Sequence, residues 1–219
     1  MIRCNPHAAA LICVALKAGF SFPAGAQDLS ALEPLDAMGE VTYFIAEGMP
    51  GSGFLEADRD LAKWALAAWE QGAAGGLRLK PGAEATALLR VYWVPASFGL
   101  YGEMRPLIVE DRRGAAVFVR PDTEALGRPI ADRAREDPLF RDAVVYLTCL
   151  HELGHALGLA HTSDFDNIMY FFGYGGDIPG FFGRYRDVLR TRADIAAVSG
   201  LSAGDLSRLR ALYAPPSSP

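Results

Sequence analysis

The order of apolar and polar positions along the chain predicts several short strands and three longer helices. Apolar residues at helical spacing predict helices over residues 57–71, 139–159 and 202–213. Short apolar runs bounded by turn-forming residues predict strands over residues 41–46, 77–80, 87–94, 107–110 and 115–120. No internal repeat and no shift of composition divides the chain. We therefore predict one α+β domain in which strands and helices share a single core.

The first 26 residues differ from the rest of the chain. Arg3 precedes an apolar stretch over residues 8–22, and a small-residue triplet ends at Ala26, as in a secretory signal peptide. Lys17 interrupts the apolar stretch, which is then too short to cross a bilayer of about 30 Å as a helix. We predict cleavage after Ala26 and a secreted or periplasmic protein with no stable membrane insertion. An uncleaved N-terminal anchor is the alternative interpretation.

The composition is that of an ordinary folded protein. Of the 219 residues, 51% are hydrophobic and 21% are charged, which excludes a disordered chain and a collagen-like fibre. The 26 acidic residues outnumber the 21 basic ones, and the formal charge of -5 argues against a nucleic-acid partner. Removal of residues 1–26 would take away Cys4 and Cys13 and leave Cys149 alone, which excludes an intramolecular disulfide. We expect Cys149 to be a buried apolar residue rather than a nucleophile.

Candidate chemistry is concentrated in one segment, from His151 to His161. His151 and His155 are four residues apart, so on a helix both imidazoles project from one face and can bind the same metal ion. Glu152 lies beside them. A continuous helix would direct His161 away from that face, and Gly158 is the residue that allows the chain to turn back. The spacing predicts a metal site formed by the three histidines.

The three histidines and Glu152 together predict a catalytic zinc site. Three neutral imidazoles leave a coordination position open to water, as in catalytic rather than structural zinc sites. Bound zinc lowers the pKa of such a water to about 7, and Glu152 can act as its general base and then protonate a leaving amine. The chain has 4 histidines, and all those beyond His7 fall in this one segment. Three unrelated core or surface histidines are the alternative interpretation.

Together with residues 166–170, this motif resembles that of the metzincin metallopeptidases, and within them the matrixins in a minimal, bacterial-type form. The resemblance covers about residues 40–214 and is most specific in the zinc motif. It implies a zincin-like single domain, with a twisted mixed sheet packed on two long helices, an active-site helix that ends at the Gly158 turn, and a C-terminal helix. Residues 166–170 correspond to the methionine turn, with Met169 beneath the zinc ion. The implied division is a short N-terminal segment (27–40), a catalytic domain (41–214) and a frayed tail (215–219).

The chain departs from the matrixin pattern at several positions. Matrixins have two adjacent acidic residues in the final helix; Asp205 matches the second, which braces the methionine turn, and Gly204 replaces the first. No cysteine lies where a propeptide would use one for latency, so we expect no latency of that kind. The chain also lacks spare histidines for a second, structural zinc ion. Structural calcium, common in matrixins, has no recognisable loop here, and the sequence leaves it open.

The loop that follows the methionine turn is rich in aromatic residues and glycine. By the matrixin layout, residues 171–183 border the pocket for the substrate residue after the scissile bond, so Tyr170 and Tyr174 are candidate pocket residues. A tyrosine in this region could also donate to the oxyanion. The alternative is that the aromatic residues only cover the core.

A strand over residues 114–120 is expected to form the edge of the sheet along the cleft. An extended substrate could add to that edge through main-chain hydrogen bonds, which favours cleavage within a chain over trimming of its ends.

From these observations together we predict an exported zinc-dependent endopeptidase, a monomer that acts on polypeptides. The alternatives are a catalytically silent, zinc-stabilised protein that binds peptides or a partner, and a protease dedicated to one substrate.

Overall fold

One mixed β-sheet organises the computed structural model, which describes residues 33–37 and 40–213. The five strands found within these residues are β1 (Val41–Gly48), β2 (Leu79–Pro81), β3 (Leu89–Trp93), β4 (Gly102–Val109) and β5 (Arg112–Val119). Their order across the sheet is β2-β1-β3-β5-β4, with parallel pairing throughout except between β4 and β5. Each overlaps a strand that the sequence predicts, although β4 begins well before the predicted start at residue 107.

A tight hairpin places β4 at one edge of the sheet. Glu110 and Asp111 form its turn with φ values of 50° and 62°, the left-handed conformation typical of a two-residue hairpin turn. Because β5 pairs with β3 on its other side, the hairpin folds β4 onto the outside of β5. The prediction that residues 114–120 form the edge is therefore wrong. The apolar pattern indicates a strand there, but it does not indicate which neighbour lies outside it.

Five α-helices complete the described part of the fold. They are α1 (Asp58–Gly72), α2 (Arg128–Glu136), α3 (Pro138–Ala156), α4 (Ile178–Asp187) and α5 (Ala203–Leu212). The helices predicted over 57–71, 139–159 and 202–213 correspond to α1, α3 and α5, and the α+β fold class is confirmed. The sequence pattern does not predict α2 or α4, both of which are short and bury only part of their surface.

Helices α1 and α3 pack against one another and against the sheet. The buried face of the sheet carries fully buried side chains of β3 and β5, namely Leu89, Val91, Trp93, Ala115, Val117 and Val119. The indole of Trp69 in α1 donates to the carbonyl oxygen of Leu150 in α3 at 3.0 Å. Cys149 on α3 is a buried free cysteine, as expected. The core therefore fixes α3 just before the histidines begin.

The N-terminal part of the chain contributes one described segment. Outside the described residues lie the predicted signal peptide (1–26), much of the predicted N-terminal segment (27–40) and the predicted tail (215–219). Leu35 is buried, and its amide donates to the hydroxyl of Tyr213 at 2.9 Å, so this segment packs near the end of α5. Across the described residues, no helix has both the length and the apolar character needed to cross a membrane.

Candidate metal centre and active site

A glycine turn ends helix α3 and reverses the chain. Gly158 has a φ of 98°, in the left-handed region that glycine adopts at little cost. Its amide donates to the carbonyl oxygen of His155 at 2.9 Å, and the amide of Leu159 donates to that of Gly154 at 2.9 Å. This pair of hydrogen bonds is the Schellman motif that closes many helices. The chain therefore leaves the helix soon after His155, which allows His161 to return towards it.

Three imidazole rings converge at the end of α3. The Nε2 atom of His161 lies 3.2 Å from that of His151 and 3.1 Å from that of His155. The Nδ1 atom of His151 contacts the carbonyl oxygen of Ile168 at 2.7 Å, and Nδ1 of His155 contacts that of Leu159 at 2.8 Å. Since a carbonyl oxygen only accepts, each of these Nδ1 atoms carries the proton and each Nε2 presents a lone pair. Both rings therefore turn an acceptor atom towards His161.

This donor set fits a zinc ion. Two nitrogen ligands bound at about 2.05 Å to a tetrahedral ion lie about 3.3 Å apart, which is close to the 3.1 and 3.2 Å between the Nε2 atoms. The ligand atoms of the three histidines all lie within 4.8 Å of one another. Among the residues that the structure describes, no group of carboxylates offers a comparable site for calcium.

Burial keeps the three imidazoles neutral. Burial, together with the neighbouring histidines, lowers the pKa of His151 to about 4 and that of His155 to about 3. Burial also lowers the pKa of His161. Neutral imidazole is the form that binds a metal ion, so no proton has to be displaced from these rings at neutral pH.

Glu152 lies against the first residue of strand β4. The residue is only 7% exposed, and burial, followed by the nearby carboxylate of Glu103, raises its pKa to about 8. A Cβ atom on Gly102 would lie 2.5 Å from Oε1 of Glu152 and 2.9 Å from Cγ2 of Thr148. Only glycine therefore allows the edge strand to approach this carboxylate so closely.

Met169 lies beneath the helix that carries the first two histidines. It is fully buried, and its side chain packs against Gly154 of α3, where a Cβ atom would overlap its sulfur. The amide of Thr162 donates to the carbonyl oxygen of Met169 at 2.9 Å, and the amide of Phe171 donates to that of Thr162 at 3.2 Å. The methionine turn and the segment after His161 are thus joined through their main chains.

Asp205 at the start of α5 binds the main chain of the methionine turn. This fully buried carboxylate accepts from the amide of Ile168 at 2.8 Å and from the amide of Ser202 at 3.0 Å. Ser202 caps α5, and its hydroxyl donates to Oδ1 of Asn167 at 2.6 Å. Because the carbonyl oxygen of Ile168 accepts from His151, Asp205 supports one of the histidines through a single intervening residue.

Aromatic residues after the methionine turn form a cluster beside His161. The ring of Phe171 lies 4.7 Å from that of His161. Tyr170 is buried, and its hydroxyl donates to the carbonyl oxygen of Gly175 at 3.0 Å. Tyr174 is 64% exposed and packs edge-on against Phe171 at 5.2 Å. Of the two candidate pocket residues, Tyr174 has the accessible surface and Tyr170 is tied to its own loop.

A groove of about 430 Å³ lies behind the methionine turn. It is lined on one side by Leu147, one helical turn before His151, and by Ile168, and on the other by Phe181 and Tyr185 of α4. None of the three histidines lines it. The groove is therefore a recess next to the metal centre and not part of it.

Several contacts of this site have little or no signal in the sequence. The close packing at Gly154 could have been predicted from the sequence. A glycine inside a helix lowers stability by about 1 kcal/mol relative to alanine, so its presence there often marks close packing. Gly102 lies outside the strand predicted over 107–110, so no pattern connects it with Glu152. The contact between the rings of Phe171 and His161 depends on how the loop folds, which the spacing of aromatic residues does not specify.

Of the comparisons with known proteins, the match to a family model agrees with the chemistry of the site. Among solved structures, archaemetzincin from Methanopyrus kandleri matches at 15% sequence identity with a TM-score of 0.39, over 79% of this chain and 95% of that chain. No curated protein matches significantly. The family model described as matrixin matches residues 43–176, which is more than half of the chain and includes His151, His161 and Met169. The chain therefore belongs to the matrixin family of zinc metallopeptidases.

Proposed function

We propose that the protein is an exported endopeptidase that hydrolyses bonds within extended polypeptides, with His151, His155 and His161 as zinc ligands and Glu152 as general base. The observation that carries this proposal is the convergence of three imidazoles, with Nε2 atoms 3.1 and 3.2 Å apart, beside a buried carboxylate. Membership of the matrixin family supports zinc and peptide-bond hydrolysis. The signal-peptide pattern of residues 1–26 supports export.

Glu152 handles the proton in the proposed reaction. When bound, zinc activates water and polarises the scissile carbonyl group. The carboxylate of Glu152 accepts a proton from the attacking water and then donates it to the nitrogen of the leaving amine. Burial, which raises the pKa of Glu152 to about 8, favours the protonated form needed for the second step. The positive charge of a bound cation favours the ionised form needed for the first step.

Three further residues are proposed to support the site without binding the ion. Gly158 allows the chain to turn back, Met169 fills the space beneath α3, and Asp205 holds the amide of Ile168. Groups that orient metal ligands are as much a part of such sites as the ligands are, because they fix the tautomer and the direction of each ring.

Strand β4 is the proposed binding strand for the substrate. Within the described residues its outer side has no neighbouring strand, so an extended peptide can pair with it through main-chain hydrogen bonds. Its first residue, Gly102, lies against Glu152, so a peptide paired with β4 would pass the general base. Pairing on both sides of the scissile bond favours internal bonds over chain ends. Tyr174 is the proposed contact for the substrate residue after that bond, because its ring is exposed beside Phe171.

The test is cleavage of an unfolded protein such as casein by the full chain. Glu152→Gln keeps the size of the side chain and removes the base, so we expect at least about a hundredfold loss of cleavage with zinc still bound at one ion per chain. Glu136→Gln is the control, because this acid is exposed at the end of α2 and has no part in the proposed site, so cleavage should change little. A chelator should abolish cleavage by the unchanged chain.

Each failure has a distinct meaning. A chain that binds zinc but cuts nothing would favour the zinc-stabilised binding protein or the protease dedicated to one substrate. Undiminished cleavage by Glu152→Gln would refute the role of this residue. Export is tested separately by N-terminal sequencing of protein expressed in bacteria, where we expect Gln27 as the first residue in the periplasm or the medium. An intact N-terminus in the membrane fraction would favour the uncleaved anchor.

A further inference from the structure

Helix α5 supports the segment that carries His161. The guanidinium group of Arg208 donates from Nη1 to the carbonyl oxygen of Ala160 at 3.1 Å and from Nη2 to Oδ1 of Asp205 at 2.9 Å. Ala160 directly precedes His161 in the chain. Asp205 in turn accepts from the amide of Ile168 at 2.8 Å. One side chain therefore links the main chain beside the third histidine to the carboxylate that holds the methionine turn.

His161 has more need of such support than the other two histidines. His151 and His155 each donate from Nδ1 to a main-chain carbonyl oxygen, at 2.7 and 2.8 Å, which fixes the direction of the ring. Among the described residues, no such acceptor contacts Nδ1 of His161. The centre of its ring lies 4.7 Å from that of Phe171 with the two planes tilted, which is a non-directional contact. The position of Nε2 of His161 is therefore set mainly by the main chain on its two sides, which the methionine turn holds at Thr162 and Arg208 holds at Ala160.

We propose, on the basis of the zinc site in the proposed function, that Arg208 is a positioning residue for His161. It acts through Ala160, whose carbonyl oxygen it holds at a fixed distance from the buried Asp205. A planar guanidinium group can donate to two acceptors at once, whereas the ammonium of a lysine is a single point of charge. If Arg208 only formed an ion pair with Asp205 on the same helix, the hydrogen bond to Ala160 would not be needed. Removing Arg208 would then leave the metal site unchanged.

The test compares the zinc affinity of the full chain in three variants. Arg208→Met removes both hydrogen bonds and keeps the apolar stem, and Arg208→Lys keeps the charge. Arg210→Met is the matched control, because Arg210 lies on the same helix and its Nε donates to the carbonyl oxygen of Gly72 at 2.9 Å, on helix α1. Competition with a chelator gives the zinc dissociation constant. The absorption spectrum of the cobalt-substituted protein reports ligand geometry, and urea unfolding of the metal-free chain reports stability.

We expect Arg208→Met to weaken zinc binding by about tenfold or more, as is usual when a group that orients a ligand is removed, and to alter the cobalt spectrum. Arg208→Lys should restore part of the affinity. Arg210→Met should lower stability and leave both metal readouts as they are in the unchanged chain. Equal zinc affinity and equal cobalt spectra for Arg208→Met and Arg210→Met would overturn the proposal. If Arg208→Met does not fold, Arg208→Lys decides, and a wild-type zinc affinity and spectrum in that variant would overturn it.

These results separate the positioning role from the proposed function. Zinc binding by the unchanged chain without any cleavage would count against the endopeptidase, while the affinity difference between Arg208→Met and Arg210→Met would still support the role of Arg208. An unchanged chain that binds no zinc would overturn both proposals.

Discussion

Replacing Gly154 by alanine tests how tightly the methionine turn packs on α3. In an exposed helix this change stabilises a protein by about 1 kcal/mol, because alanine favours the helix and restricts the unfolded chain. At position 154, a Cβ atom would overlap the sulfur of Met169 and lie 3.2 Å from its Cε atom and 3.0 Å from Cζ2 of Trp69. Both neighbours are fully buried, so neither side chain can move into solvent.

The magnitudes predict a net loss of stability. Overpacking a filled core costs about 1–3 kcal/mol, which outweighs the helix propensity of alanine. Met169→Ala alone should cost about 2–5 kcal/mol, because it deletes a buried side chain. In the Met169→Ala background the overlap is gone, so Gly154→Ala should become neutral or stabilising by up to about 1 kcal/mol. The close contact with Trp69 limits that gain.

The assay is a double-mutant cycle by urea unfolding of the metal-free chain, with a helical glycine elsewhere as the control. Gly183→Ala in α4 is suitable, because a Cβ atom there would approach only the end of the Arg133 side chain, at 2.9 Å. We expect Gly183→Ala to be neutral or stabilising and positions 154 and 169 to be coupled by about 1–3 kcal/mol. If Gly154→Ala stabilises the otherwise unchanged protein, the packing of Met169 against α3 is refuted.

Two other substitutions and the pH dependence of stability test the rest of the site. Gly102→Ala should reduce casein cleavage by about a hundredfold with zinc titration unchanged, because its Cβ would lie 2.5 Å from Oε1 of Glu152; wild-type activity would contradict this. Asp205→Asn should lower the free energy of unfolding by about 1–3 kcal/mol and weaken zinc binding. Urea unfolding and competition with a chelator measure the two effects, and unaltered values in both would show that the carboxylate is dispensable. In the metal-free chain, His151 and His155 have folded pKa values of about 4 and 3, below the ordinary 6.5, so stability should fall as the pH drops from 6.5 towards 4. Folded Glu152, with a pKa of about 8 against an ordinary 4.5, keeps a proton that the unfolded chain loses, so its contribution to stability is lost as the pH rises from about 4.5 to 8. Above pH 6.5, where His151 and His155 no longer oppose this loss, stability should fall. Urea unfolding of Glu152→Gln should lack this alkaline loss, and its persistence would rule out Glu152 as the cause.

Local patterns predict the elements that bury one regular apolar face. Helices α1 and α3 and strand β3 are of this kind. The predicted segments also overlap α5 and the other described strands, although Leu209 is the one apolar side chain that α5 buries and β2 has no buried residue. Helix α2 is missed because charged residues dominate it and only Ile130, Ala131 and Ala134 are buried. Helix α4 is missed because Pro179 and two glycines within it are turn signals. The edge strand is misplaced because the order of strands depends on pairing between them, which an apolar run does not encode.

The site could be predicted only as far as its residues are close in sequence. The spacing of His151 and His155 reports helix geometry directly, and Gly158 reports the break that follows. The contact between Gly102 and Glu152 joins the edge strand to α3. The hydrogen bond between Arg208 and Ala160 joins residues that are 48 positions apart in the sequence. Contacts of this kind follow from tertiary packing, and no local periodicity carries information about them.

In the metal-free chain the three imidazoles form an unfavourable arrangement, which would favour the binding of a cation in the proposed site. The Nε2 lone pairs of His151 and His155 face His161 at 3.2 and 3.1 Å, and its single ring cannot satisfy both at once. Beside them, burial makes an ionised Glu152 costly. A cation bound among the rings would relieve the first cost by accepting the lone pairs, and in the proposed function it would relieve the second by favouring the ionised carboxylate. Binding to the folded chain alone then adds to its stability. It follows that a variant which misplaces one ring should lose more stability with zinc present than without it.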